Sequence, residues 1–174
     1  NDNLGGVSGT DTDIFVSRST DGGVTWTASQ LLNTNGNADL GNDEFVRLTA
    51  DGTGNLIAVW DTGTDIGGSG TDYDIAYSLS TDGGATWSAP ALLNTSGLTD
   101  ADYDLVAQVA TDRAGNWVAT WESNSPLGGT DGNDWDIFIS RFALSPGLAA
   151  TAIVPETTGP TNAATVRFDV TFSH

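Results

Sequence analysis

Short runs of alternating β-branched, aromatic and polar residues follow one another along the chain, and each run stops at a cluster rich in Gly and Asp. The spacing predicts strands at Phe45 to Thr49, Leu56 to Trp60, Asp74 to Ser80 and Ala85 to Leu93. Such runs are too short and too alternating for helices, and they fit half-buried strands. Between them, Asp51-Gly52-Thr53-Gly54 and Thr81-Asp82-Gly83-Gly84 carry the Gly that tight hairpins need for positive φ.

The same pattern then returns. Asp13 to Trp26 is matched by Asp74 to Trp87, an offset of 61 residues, and Leu31-Leu32-Asn33-Thr34 returns at the same offset as Leu92-Leu93-Asn94-Thr95. Gly54 to Trp60 is matched by Gly115 to Trp121. A third copy opens at Asp136-Ile137-Phe138-Ile139-Ser140-Arg141, where Phe142 to Gly147 replaces the Asp-Gly-Gly turn. A tandem four-stranded unit predicts an all-β chain: a partial β-propeller of about two to three four-stranded blades over residues 1–147. Both ends read as cut from something longer. Open edges on such an array predict that the chain alone is poorly stable or self-associates.

After Ser145-Pro146-Gly147 the composition changes, and Val166, Phe168, Val170 and Phe172 alternate with polar residues. Residues 148–174 are therefore expected to form a linker and the first strands of a second β-domain, a run that resembles the opening of a bacterial Ig-like repeat.

Charge narrows the partners. Twenty-three acids face five basic residues, giving −18 over 174 residues, so the surface repels nucleic acid and anionic membranes. No apolar run is long enough to span a bilayer as a helix. Cys is absent, which excludes disulfides and thiolate metal sites.

Ser19-x-Asp21-x-Gly23-x-Thr25-Trp26 and Ser80-x-Asp82-x-Gly84-x-Thr86-Trp87 match S-x-D-x-G-x-[ST]-W. This pattern resembles the Asp box of sialidase-like (BNR-repeat) propellers, and the resemblance covers Thr10 to about Ser145. It implies hairpins with Asp-box stapling by Ser19, Asp21, Gly23, Trp26, Ser80, Asp82, Gly84 and Trp87. A sugar site at these residues is the rival reading; a turn staple on the rim is the favoured one. The family's catalytic set of three Arg, a Tyr–Glu pair and an Asp does not map onto this chain. Arg47, on the strand expected to lie innermost, is the one candidate for a channel-facing Arg, against an ordinary strand residue paired with Glu44.

By resemblance the chain is expected to belong to a secreted or surface bacterial protein. Its expected role is carbohydrate recognition or adhesion, with exo-sialidase and structural spacer as alternatives and with the rest of its own propeller as a partner. Trp117 and Trp135 lie outside the boxes and are candidates for glycan contact; a packed position is the rival reading for each, and Trp117 replaces Leu56 of the preceding copy. Asp61, Asp65, Asp72 and Asp74, with Asp131, Asp134 and Asp136 one copy later, form acidic loops that can supply oxygen ligands to Ca²⁺. Asp100, Asp102 and Asp104 make a further cluster. Solvated turns are the competing explanation for all of them.

Overall fold

In the computed structural model of the chain, residues 9–126 and 134–142 are described in full, and 143, 150–155 and 168–172 through their backbone. Every regular element among them is a strand. The chain divides into two compact units, Asn1–Phe142 and Ala143–His174.

The first unit holds three sheets. Strands β1 (Phe15–Val16) and β2 (Gln30–Leu31) form a two-stranded sheet. Strands β3 (Asp43–Ala50), β4 (Leu56–Thr62), β5 (Asp74–Ser80) and β6 (Ala91–Leu92) form a four-stranded antiparallel meander in chain order. Strands β7 (Asp104–Thr111), β8 (Asn116–Ser123) and β9 (Asp136–Ala143) form a three-stranded sheet.

The 61-residue offset is kept in the pairing register. Phe15 faces Leu31 as Ala76 faces Leu92, and Asp43 faces Thr62 as Asp104 faces Ser123. Even the irregularity repeats: β3 and β7 each carry a bulge, with Phe45 at φ 56° and Val106 at φ 59°. The β-branched Val106 is costly in this left-handed region. Its N–H donates to the Asp61 carboxylate (2.9 Å), which ties the bulge of one sheet to β4 of the sheet before it.

The fourth strand of the unit is shorter than the expected Ala85 to Leu93. Pro90 has no N–H to give the ladder, and the Ser88 hydroxyl takes over the Leu79 N–H at 3.1 Å. Backbone bonds from Ser88 N to Leu79 O and from Leu93 N to Ile75 O hold the segment beside β5 on either side of the two paired residues.

The core lies between successive sheets. Ile14 and Leu32 of the first copy close on Ala58, Trp60 and Ala76, with Val16, Ile66 and Trp87 at the margin. Strand β4 is apolar over most of its length and buried on both faces, because a sheet covers each side. In the next sheet, Trp117 is buried and stacks on Phe142, and Trp121 tilts against Phe138.

The second unit contains β10 (Ala150–Pro155) paired antiparallel with β11 (Phe168–Phe172), Ile153 opposite Val170. Of the predicted run, Val166, Arg167 and Ser173 lie outside the described residues.

Candidate metal centre and ligand surfaces

In the two Ser-x-Asp-x-Gly-x-Thr-Trp turns the polar atoms are consumed internally. Asp21 accepts from the Ser19 hydroxyl (2.7 Å), from Thr25 N (2.9 Å) and from the Thr25 hydroxyl (2.6 Å). Asp82 repeats this with Ser80 at 2.8 Å, Thr86 N at 2.9 Å and the Thr86 hydroxyl at 2.6 Å. Gly23 N and Gly84 N donate to Ser19 and Ser80, and both Gly have positive φ. The Thr25 hydroxyl, followed by Thr25 N–H and Ser19, holds the Asp21 carboxyl down at about 2, and the equivalent donors hold Asp82 lower still. These carboxylates fasten a turn. Trp87 packs at the core margin, whereas Trp26 is exposed and returns its indole N–H to Gly23 O.

Arg47 is exposed on β3, which with β4 and β5 of its sheet packs against β7. Its guanidinium donates to Phe45 O and Val46 O on its own strand; burial raises the nearby Asp61 carboxyl, and the Arg47 charge opposes that rise only in part. Arg18 donates to Gly83 O at 2.6 Å. The Arg side chains thus do not converge among the described residues. Of the two candidate glycan contacts, Trp117 is buried in packing and Trp135 is exposed ahead of β9.

A concavity of about 520 Å³ opens at the end of the four-stranded sheet. Asp39, Asn42, Thr64, Asp65 and Tyr73 line it, together with the backbone of Gly41 and Gly63.

The acidic residues form a repeated structure. Asn94 is buried at the end of β6, and its amide N–H₂ donates to Asp74 (2.7 Å) and to Asp104 (2.6 Å) while its carbonyl accepts from Ile75 N. Asn33 does the same one copy earlier with Asp13 (2.9 Å), Asp43 (2.6 Å) and Ile14 N. Asp74 opens β5 and Asp104 opens the next sheet, so one amide bridges two successive sheets. Gly97 and Gly36 let the chain pass directly over Asp74 and Asp13.

Beside each bridge, carboxylates gather: Asp72, Asp74 and Asp100 in one copy, Asp11, Asp13 and Asp39 in the other. In each set, one oxygen per residue lies within 4.8 Å of the others, an arrangement able to hold a metal ion. Burial pushes Asp74 up to about 6 against the pull of Asn94, with the charge of Asp72 adding to the rise. Burial likewise takes Asp39 to about 6, and Asp11 and Asp13 push in the same direction. Asp72 is raised by burial and by Asp100 and Asp102.

Among the predicted cation ligands, Asp72 and Asp74 therefore come together. Asp61 lies apart as the partner of Val106 N, and Asp65 accepts from Gly68 N in its own turn. Asp134 is exposed and Asp136 half-buried at the head of β9, and Asp131 lies outside the described residues. Asp11, Asp13, Asp39 and both bridging Asn were not singled out from sequence, although the 61-residue offset maps each onto its counterpart.

No known family matches the chain, and no curated protein matches it significantly. Among the described residues, no helix is long and apolar enough to cross a membrane.

Proposed function

We propose that the chain is a carbohydrate-recognition or adhesion module built on a sialidase-like Asp-box propeller, carried by a secreted or surface bacterial protein and followed by an Ig-like domain. The observation that carries the reading is the concavity beside β3 and β4: one aromatic ring, Tyr73, with the apolar Ala38 and Leu40, among short polar side chains and backbone groups. Sugars are held by this combination, since C–H faces stack on aromatic rings and hydroxyls need many small donors and acceptors. The repeated turns and the shared register support the propeller reading.

The lining of this concavity contains Asp39 and Asp65 and no Arg, which favours neutral glycans over sialosides. Exo-sialidase activity is disfavoured on the same ground. Preorganised positive charge would be needed for an anionic sugar, and Arg47 is spent on carbonyls of its own strand. A glycan array with the parent and Tyr73→Ala, run beside hydrolysis of a fluorogenic sialoside with Arg47→Ala as control, tests this. Neutral-glycan binding that Tyr73→Ala abolishes, with no hydrolysis, is the expected result. Hydrolysis lost in Arg47→Ala would establish the enzyme instead, and an array with no binding would leave a structural spacer.

A further inference from the structure

We propose that Asp72, Asp74 and Asp100 form a Ca²⁺ site, and that Asp11, Asp13 and Asp39 form its counterpart one repeat earlier. Crowded acids alone do not define a site; the unused oxygens do. Asp74 is completely buried, and while its Oδ1 is taken by Asn94, its Oδ2 accepts no hydrogen bond. Asp72 Oδ2 and Asp100 Oδ1 are also shielded from solvent and without a donor. In the earlier copy the same atoms are open, Asp13 Oδ2 and Asp39 Oδ1, together with both oxygens of Asp11. A buried carboxylate oxygen without a donor is expensive, and the same atoms left open in two copies point to a missing shared partner.

That partner is a cation, because three carboxylates converge and, among the described residues, no Arg pairs with them. An all-oxygen set without His or Cys selects a hard ion. Mg²⁺ demands near-ideal octahedral geometry, dehydrates reluctantly and is usually held by one or two carboxylates, whereas Ca²⁺ accepts six to eight oxygens in flexible geometry. Three converging carboxylates from two separate segments suit the larger ion. Asp74 opens β5 and Asp72 lies two residues before it, and Asp100 belongs to the segment leading into β7. The ion would fasten one sheet to the entry of the next, beside the Asn94 bridge. The site requires neither a glycan nor a channel.

The rival arrangement is carboxylates that share protons, and it gives no response to Ca²⁺. The full chain, stripped with a chelator and titrated with CaCl₂ by calorimetry at neutral pH, is expected to bind two ions and to melt at a higher temperature as free Ca²⁺ rises. Asp74→Asn is expected to lower the count to one, and Asp74→Asn with Asp13→Asn to abolish it, with the far-ultraviolet circular dichroism unchanged. Should Asp74→Asn fail to fold, Asp100→Asn, at a half-buried position of the same cluster, is expected to lose the same ion. Absence of both heat and melting shift at ~1 mM CaCl₂, the weak limit for extracellular sites, would overturn the proposal, as would two ions retained in the folded Asn variants. One ion in the parent that Asp74→Asn removes would uphold the later site and reject its counterpart.

Discussion

At the residue scale, two amides and two turn carboxylates show how a chain with so few basic residues manages its acids. Asn94 bonds one oxygen of Asp74, one oxygen of Asp104 and Ile75 N at once. Hydrogen bonds to charged groups contribute roughly 1.5–3 kcal/mol each, so Asn94→Ala is expected to cost on the order of 3 kcal/mol or more in urea denaturation, and Asn33→Ala a similar amount. A loss below about 1 kcal/mol would mean that water replaces the amide. The turn carboxylates titrate the other way. Asp21 is depressed from 3.8 to about 2, so the ionised form is favoured by folding. Its contribution is present above pH 3.8 and is lost as the pH falls toward 2. The gap in urea midpoint between the parent and Asp21→Ala should therefore narrow across that window. A gap that stays constant would show that the Ser19 and Thr25 contacts do not depend on charge.

At the element scale, the segment between β6 and β7 depends on a small residue. A Cβ on Gly97 would come within 2.8 Å of Asn94 Nδ2 and collide with Asp74 Oδ1. Overpacking of this kind costs about 1–3 kcal/mol, so Gly97→Ala should lower the melting temperature, as should Gly36→Ala. An unchanged melting curve would show that the loop gives way freely. Strand identity and repeat length were legible from sequence because alternation and Gly-rich turns are local signals. The shortened fourth strand was partly legible in Pro90. The bulges were not, since Phe45 and Val106 are residues that normally avoid positive φ, and Val106 N is met there by Asp61 reaching across from the neighbouring sheet. For the candidate site the types were legible and the grouping was not. Asp72 and Asp74 sit two apart in sequence, but Asp100 joins them only because the β6–β7 segment folds back. Asp61, a ligand candidate by composition, points to a backbone N–H instead.

At the scale of the first unit, its last sheet presents exposed apolar side chains among the described residues. Ile137 and Ile139 are exposed on β9, with Trp135 beside them, yet Ile75, the counterpart of Ile137, is completely buried. The difference is that β5 has the following sheet packed against it. Exposed apolar surface on an edge strand invites association. The chain is expected to self-associate at micromolar concentration, and Ile137→Lys with Ile139→Lys to shift it toward monomer in sedimentation velocity. A parent that is monomeric throughout would refute this.

The Asn bridge also bears on how such a chain changes over generations. Each joint takes its amide from the tail of one copy and one carboxylate from the head of the next, and the two joints are interchangeable part for part. Unequal recombination between equivalent points of two copies would join a tail to a head that already fits. Copies can then be gained or lost whole without a new interface having to be invented, so in descendants of this gene array length should drift more readily than the composition of the joint.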